Sequence, residues 1–437
     1  MSAITPLGMT NWRETKQVFG IKDADRLGHI YVIGKTGTGK STLLEQMAIS
    51  DIKNGNGLCV IDPHGDIAED LLHYIPQDKI KDVIYFNATD TAHPIGFNPL
   101  SSIEPKDFNL VTSNLIITFK KIWAESWGPR LEHIMRFSML SLLHYPSATL
   151  LDMQRLLTDP FFRRKVLNHV SDDSIIEFWE GEFDKYSPQL RSEAIAPILN
   201  KTGILLASLP LRNIIGQPQS SFEMHEILRS QKILICNLSK GQIGEDAAAI
   251  LGSIIVTAIQ GAAFARASVE PHQRTPFYLY IDEVHSFVTL SFADILAEAR
   301  KYGLSVFLAH QYIEQLHEKI RAAIFGNVGT MIVFRVGATD AAYLAKEFHP
   351  VFSEDDLVNL PRYSMYLKLM INGATSKPFS ATTLPLSEVP SSFKDKVIAY
   401  SQQCYGTSIE QLTKDMEKEL YTGQVSNKRQ QTLFDEI

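Results

Sequence analysis

Residues 29 to 47, HIYVIGKTGTGKSTLLEQM, constrain this chain more than any other stretch. The apolar run Ile30 to Ile33 predicts a buried strand. Gly34 to Ser41 then match G-x-x-x-x-G-K-[ST] at every fixed position. Beyond them, Leu44, Met47, Ala48 and Ile52 repeat with the spacing of one helix face. Strand, glycine loop and helix thus follow in the order a phosphate-binding loop requires. Glycines let backbone N–H groups turn inward around a phosphate, and the helix N-terminus adds partial positive charge. The expected ligand contacts are Gly34, Thr36, Gly37, Thr38, Gly39, Lys40, Ser41 and Thr42. Lys40 would reach the terminal phosphates, and the Ser41 hydroxyl would ligate Mg²⁺.

A second buried strand is expected at Gly57 to Asp62, ending in Asp62-Pro63-His64-Gly65-Asp66, a turn with two carboxylates and an imidazole. Val83 to Phe86 predicts a third. From about Phe97 to Met224 the periodicity turns helical, with Arg130 to Tyr145 the clearest helix. Pro160, Pro188, Pro197 and Pro210 read there as helix starts or breaks. This stretch holds 13 Lys and Arg against 14 Asp and Glu, so it carries no basic footprint. Strands resume at residues 232–238, 277–281, 304–309, 331–334 and 366–371, and the chain becomes polar and helical past Val389. Residues 1–28 read as a polar lead-in with a strand near Gln17 to Ile21. Strands alternating with helices predict an α/β fold with parallel pairing. The expected organisation is a core in two parts, 1–96 and 225–390, an all-helical insertion at 97–224, and a helical tail at 391–437.

Phe277 to Ile281 leads directly into Asp282-Glu283. A buried strand ending in two carboxylates is what a nucleoside triphosphatase needs beside its phosphate loop. Asp282 would complete the Mg²⁺ shell with Ser41, and Glu283 would polarise the attacking water. The next strand ends at His310-Gln311, where an amide is placed to sense a γ-phosphate. Arg300 and Lys301 precede Gly303, an ordinary cationic helix end.

The phosphate loop, IDPHGD, the helical insertion, YLYIDE, EARKYGL and LAHQ occur in one order. Together they resemble the motor domain of the HerA–FtsK superfamily, most closely the conjugative type IV secretion coupling proteins of the TraG and TrwB kind. The resemblance spans roughly residues 28–385. It implies a RecA-like P-loop NTPase core with an inserted all-α domain, a homohexameric ring, and Mg²⁺-dependent ATP hydrolysis driving DNA through a central pore. It also implies that Arg300 acts as an arginine finger. Other activities of the same motor core are a secretion ATPase acting on protein, and a HerA-like motor working with a nuclease in repair or phage defence. A nucleotide switch without turnover is a further alternative, against which Glu283 speaks.

Net charge is −7, so a chain that binds DNA must gather its cations locally. Cys59 and Cys236 lie in apolar runs and Cys404 stands apart, which predicts buried thiols and a reducing cytoplasm. No signal pattern opens the chain, and Ala247 to Ala265 reads as a buried helix rather than a bilayer span. Any membrane attachment is therefore expected from a partner. Near the end, Gln430, Leu433 and Phe434 resemble the peptide with which bacterial proteins dock on the sliding clamp.

Overall fold

The structure is a computed structural model that describes residues 4–11, 16–389 and 391–414. The clamp-like peptide at Gln430, Leu433 and Phe434 lies outside them. In chain order the strands are β1 (Ile4–Thr10), β2 (Val18–Lys22), β3 (Ile30–Ile33), β4 (Gly57–Asp62), β5 (Val83–Asn87), β6 (Ile233–Asn237), β7 (Phe277–Ile281), β8 (Leu304–His310), β9 (Thr330–Val333), β10 (Ser364–Lys368), β11 (Met370–Ile371), β12 (Ala374–Thr375) and β13 (Phe379–Thr382). Eleven form one sheet in the order β2-β1-β13-β10-β9-β3-β8-β7-β4-β6-β5, and β11 and β12 make a separate hairpin.

The centre of the sheet, β9-β3-β8-β7-β4-β6, is parallel throughout. Its strands are unbroken buried runs, as both faces of a helix-covered parallel sheet must be. Beyond β9 the sheet departs from the expected parallel pairing. β10 runs antiparallel to β9, and β13 and β1 continue antiparallel. The supposed polar lead-in contains β1, which pairs with both β13 and β2. The predicted strand over 366–371 divides at Leu369: its first part is β10, and Met370–Ile371 folds back onto Ala374–Thr375.

The chain forms two compact units, Met1–Phe86 with Glu223–Ser401, and Asn87–Phe222 with Gln402–Ile437. In the first, a buried polar knot ties three elements together. Arg26 donates to both oxygens of Asp51, at 2.7 and 2.8 Å, and its guanidinium lies 3.6 Å from the centre of the Tyr278 ring. Asp51 belongs to helix Lys40–Asn54, and Tyr280 of β7 also donates to it. Removing one member of such a pair would strand a buried charge, so the knot fixes the phosphate-loop helix against β7. Helix Glu245–Ala265 is long and apolar enough to cross a membrane, and 67% of its most apolar window is buried inside the protein. Gly252 is required there, because an added Cβ would meet the Phe287 ring at 2.2 Å.

The second unit is mostly helical among its described residues. Pro160 and Pro188 open helices Pro160–Leu167 and Pro188–Ala207, and Pro210 sits in the first turn of Leu209–Ile215. Pro197 does neither of the things its sequence context suggested; it lies inside Pro188–Ala207. Fully buried Trp179 donates to Ser141 Oγ at 2.8 Å. The segment after Gln402 joins this unit through an Ile95–Gly406 bridge and through Thr407 and Ile409 N–H groups, which donate to Pro94 and Ala92.

Candidate active site

β3 delivers the glycine loop to the C-terminal end of the parallel sheet, where ligands bind in open α/β folds. Gly37 and Gly39 hold φ of 72° and 126°, conformations that side chains resist, so the loop can curl without them. Lys35, Thr36, Gly37 and Ser41 are exposed, and Thr42 is half-buried. Beneath them Thr38 Oγ1 donates to the Lys35 carbonyl at 2.7 Å. Lys40 is buried, and its ammonium donates to the Gly34 and Lys35 carbonyls at 2.7 and 3.2 Å. Burial lowers its pKa, while the Asp282 and Glu283 charges act in the other direction. The cation thus stands inside the loop, with both carboxylates close enough to act on it.

β8 separates β3 from β7, so the ends of three neighbouring strands converge. Thr36 Oγ1 donates to Gln311 Oε1 at 2.9 Å, and Gln311 Nε2 donates to Glu283 Oε1 at 2.5 Å. One hydrogen-bonded chain therefore links the phosphate loop to Glu283. Glu283 sits in the left-handed region at φ 48°, a rare state for a residue with a side chain. Its Oε2 is buried, lies 3.5 Å from His285 Nδ1, and accepts no hydrogen bond among the described residues. Such an orphaned carboxylate oxygen, next to a glycine cradle and a buried ammonium, suits a site for a metal-chelated triphosphate and a water.

Asp282 is 5% exposed, and its carboxyl is pushed up to about 7. Burial is the main cause, with Glu283 and Asp62 adding to it against Lys40. Folded Asp282 therefore holds a proton between about pH 4, where it ionises when unfolded, and about pH 7. More protons are bound folded than unfolded in that window, so this group's contribution to stability falls as pH rises through it. In EDTA, Asp282→Asn should melt higher than wild type at pH 8, and the gap should close towards pH 4. A gap independent of pH would show that Asp282 is ionised throughout.

Two features had no sequence signal, Glu45 and the Tyr31–His310 pair, and a third gives the turn after β4 its form. Glu45, in the second turn of helix Lys40–Asn54, is pushed up to about 7 by burial and by Asp70, Asp62, Asp66 and Asp282. Asp62 itself is fully buried and accepts from the His64 and Ala68 N–H groups, so it shapes the IDPHGD turn. Tyr31 and His310, on adjacent strands, share a 2.6 Å hydrogen bond.

Arg300 lies elsewhere. It is exposed on the turn Ala299–Tyr302, which Gly303 closes in the left-handed conformation. β8 begins one residue later and runs to His310 before reaching Gln311. At about 3.3 Å per residue, Arg300 sits roughly 20 Å along the sheet from its own phosphate loop. Its charge acts on His29, which precedes β3 at that far end. The structure gathers Lys40, Asp282, Glu283 and Gln311 and sets Arg300 at the opposite end of the strands, away from its own loop.

Over residues 20–349 the chain matches the type IV secretion-system coupling protein DNA-binding domain, and it belongs to that family. Its fold is similar to that of solved structures at low identity. The plasmid coupling protein TrwB in complex with ADP and Mg²⁺ is 16% identical with a TM-score of 0.59, covering 88% of this chain and 91% of that one. TrwB with the ATP analogue ADPNP is 18% identical with a TM-score of 0.58, covering 84% and 87%. VirB4 of Thermoanaerobacter pseudethanolicus is 13% identical with a TM-score of 0.59, covering 87% and 96%. No curated protein matches the chain.

Proposed function

We propose that this chain is the ATP-hydrolysing motor of a coupling protein, working as a ring of identical copies that draws DNA through its centre. The observation that carries the reading is the Thr36–Gln311–Glu283 chain, which connects a complete phosphate loop to a buried carboxylate. Lys40 and the loop N–H groups would hold the triphosphate, and Ser41 and Asp282 would hold Mg²⁺, which neutralises charge on the phosphate oxygens. Glu283 would orient a water and take its proton. Gln311 reports on the γ-phosphate, since its amide is already shared between Thr36 and Glu283. Arg300 would serve a neighbouring copy.

DNA-stimulated ATP turnover tests the reading. A motor that slides on phosphates should bind DNA with weak sequence preference. Six to ten phosphate contacts would lower affinity about 10³–10⁵-fold between 50 and 200 mM salt. Titrating DNA into the full chain at both salts, while following ATPase rate and binding, measures both properties. A second reading, a secretion ATPase that moves protein, draws on the fold shared with VirB4. Absence of DNA binding at 50 mM salt, with an ATPase that ignores DNA, would favour it.

A further inference from the structure

We propose that Tyr363, on the turn before β10, is the platform against which the base of the bound nucleotide stacks. The proposal rests on the nucleotide site described above and extends it to the part of the ligand that the phosphate loop does not touch.

Tyr363 is built into the loop's wall. Its N–H donates to the Thr38 carbonyl at 2.8 Å, and its own carbonyl accepts from Thr383 N at 3.0 Å. An added Cβ on Gly39 would come within 3.2 Å of Tyr363 Cδ1, so the ring packs against the loop itself. Phe334, at the end of β9, lies below Gly34 and Gly39 and closes the floor. Despite this anchoring, Tyr363 is 41% exposed. It also adopts φ 64°, a rare backbone state for a bulky aromatic residue. The backbone is thus held in a strained conformation that leaves the aromatic ring at the surface beside the loop. The Arg362 guanidinium lies 4.9 Å from the ring centre, adding a cation to the same patch.

Its side of the loop matters. Asp282, Glu283 and Gln311 end β7 and β8, on one flank of β3. Tyr363 precedes β10, which lies beyond β9 on the other flank. A triphosphate whose γ-phosphate faces the carboxylates must extend its α-phosphate, sugar and base away from them. Tyr363 is the exposed ring next to the loop in that direction. An aromatic face binds any base through stacking, with little dependence on its hydrogen-bonding edge. The structure therefore assigns to this subsite affinity for purine bases generally rather than recognition of one.

Calorimetric titration of the full chain with Mg·ATP and with Mg·tripolyphosphate, which has no base, separates the ring's roles. Tyr363→Gly keeps the N–H to Thr38 and suits the positive φ, so it removes the ring alone. It should weaken ATP binding about ten-fold and leave tripolyphosphate within two-fold of wild type. Tyr363→Phe and Tyr363→Trp should bind ATP as wild type does, and wild type should bind ATP and GTP with similar affinity. Equal weakening for both ligands in Tyr363→Gly would overturn the proposal, because the ring would then only shape the loop. Unchanged ATP affinity would overturn it too, by placing the base elsewhere. Wild-type protein that binds tripolyphosphate and ATP equally would do the same. Wild-type protein that binds neither would remove the nucleotide site itself, an outcome distinct from failure of the platform.

Discussion

Arg300→Ala should fold, bind ATP and lose turnover by about 10³–10⁵-fold, the range over which a finger arginine acts in related nucleotide hydrolases. A guanidinium is always charged and grips phosphate oxygens bidentately, so it can stabilise charge spreading over the γ-phosphoryl group. The distance along β8 prevents Arg300 from doing this for its own loop, and its exposed position leaves it open to a neighbour's. A helix-end role would contribute only about 0.3–1 kcal/mol of stability and nothing to rate. The same logic predicts complementation. Mixed with Lys40→Ala protein, the Arg300→Ala chain keeps an intact loop and borrows a neighbour's arginine, so some activity should return at concentrations where oligomers form. Steady-state ATPase assays on the separate and subunit-exchanged proteins measure this. Wild-type rates in Arg300→Ala would leave the residue as a helix end, and mixed rings that stay dead would argue against sharing between copies.

Glu283→Gln should bind ATP normally and hydrolyse it about 10²–10⁴-fold more slowly. The amide keeps the shape of the side chain, and its oxygen can still accept from Gln311 Nε2. What it loses is the ability to take a proton from water. The orphaned Oε2 becomes an NH₂ group, a donor where an acceptor is needed. Nucleotide affinity by calorimetry and turnover by phosphate release should therefore separate cleanly in this variant. A variant with wild-type turnover would take the base role away from Glu283.

The glycine loop and the acidic strand end were readable because each is a local pattern: a strand, a fixed spacing, then a helix or a carboxylate pair. The parallel strands were readable for a related reason, since buried runs need no polar alternation. What stayed hidden depends on long-range pairing. Tyr31 meets His310 across 279 positions, and Thr36 meets Gln311 across 275. Glu45 looks like any helix-surface residue until β4 and β7 bring Asp62 and Asp282 towards it. Tyr363 is an unremarked tyrosine in a turn until its backbone reaches Thr38. β1 was missed because Gly8 and Pro6 mask a seven-residue strand, one of whose two partners, β13, lies near the other end of the described chain.

The order of strands sets the order of events during synthesis. β3 appears early, yet both of its neighbours, β8 and β9, are encoded after residue 300. β1 can pair at once with β2, but its other neighbour, β13, comes later still. At about 5–20 residues per second the ribosome needs tens of seconds to supply these partners. Throughout that interval the phosphate loop hangs from a strand with no ladder on either side. Nascent chains that stop before Val333, the end of β9, should therefore hold nucleotide poorly. ATP can thus stabilise only a nearly finished molecule, and translation arrested early would leave β3 as an aggregation-prone edge.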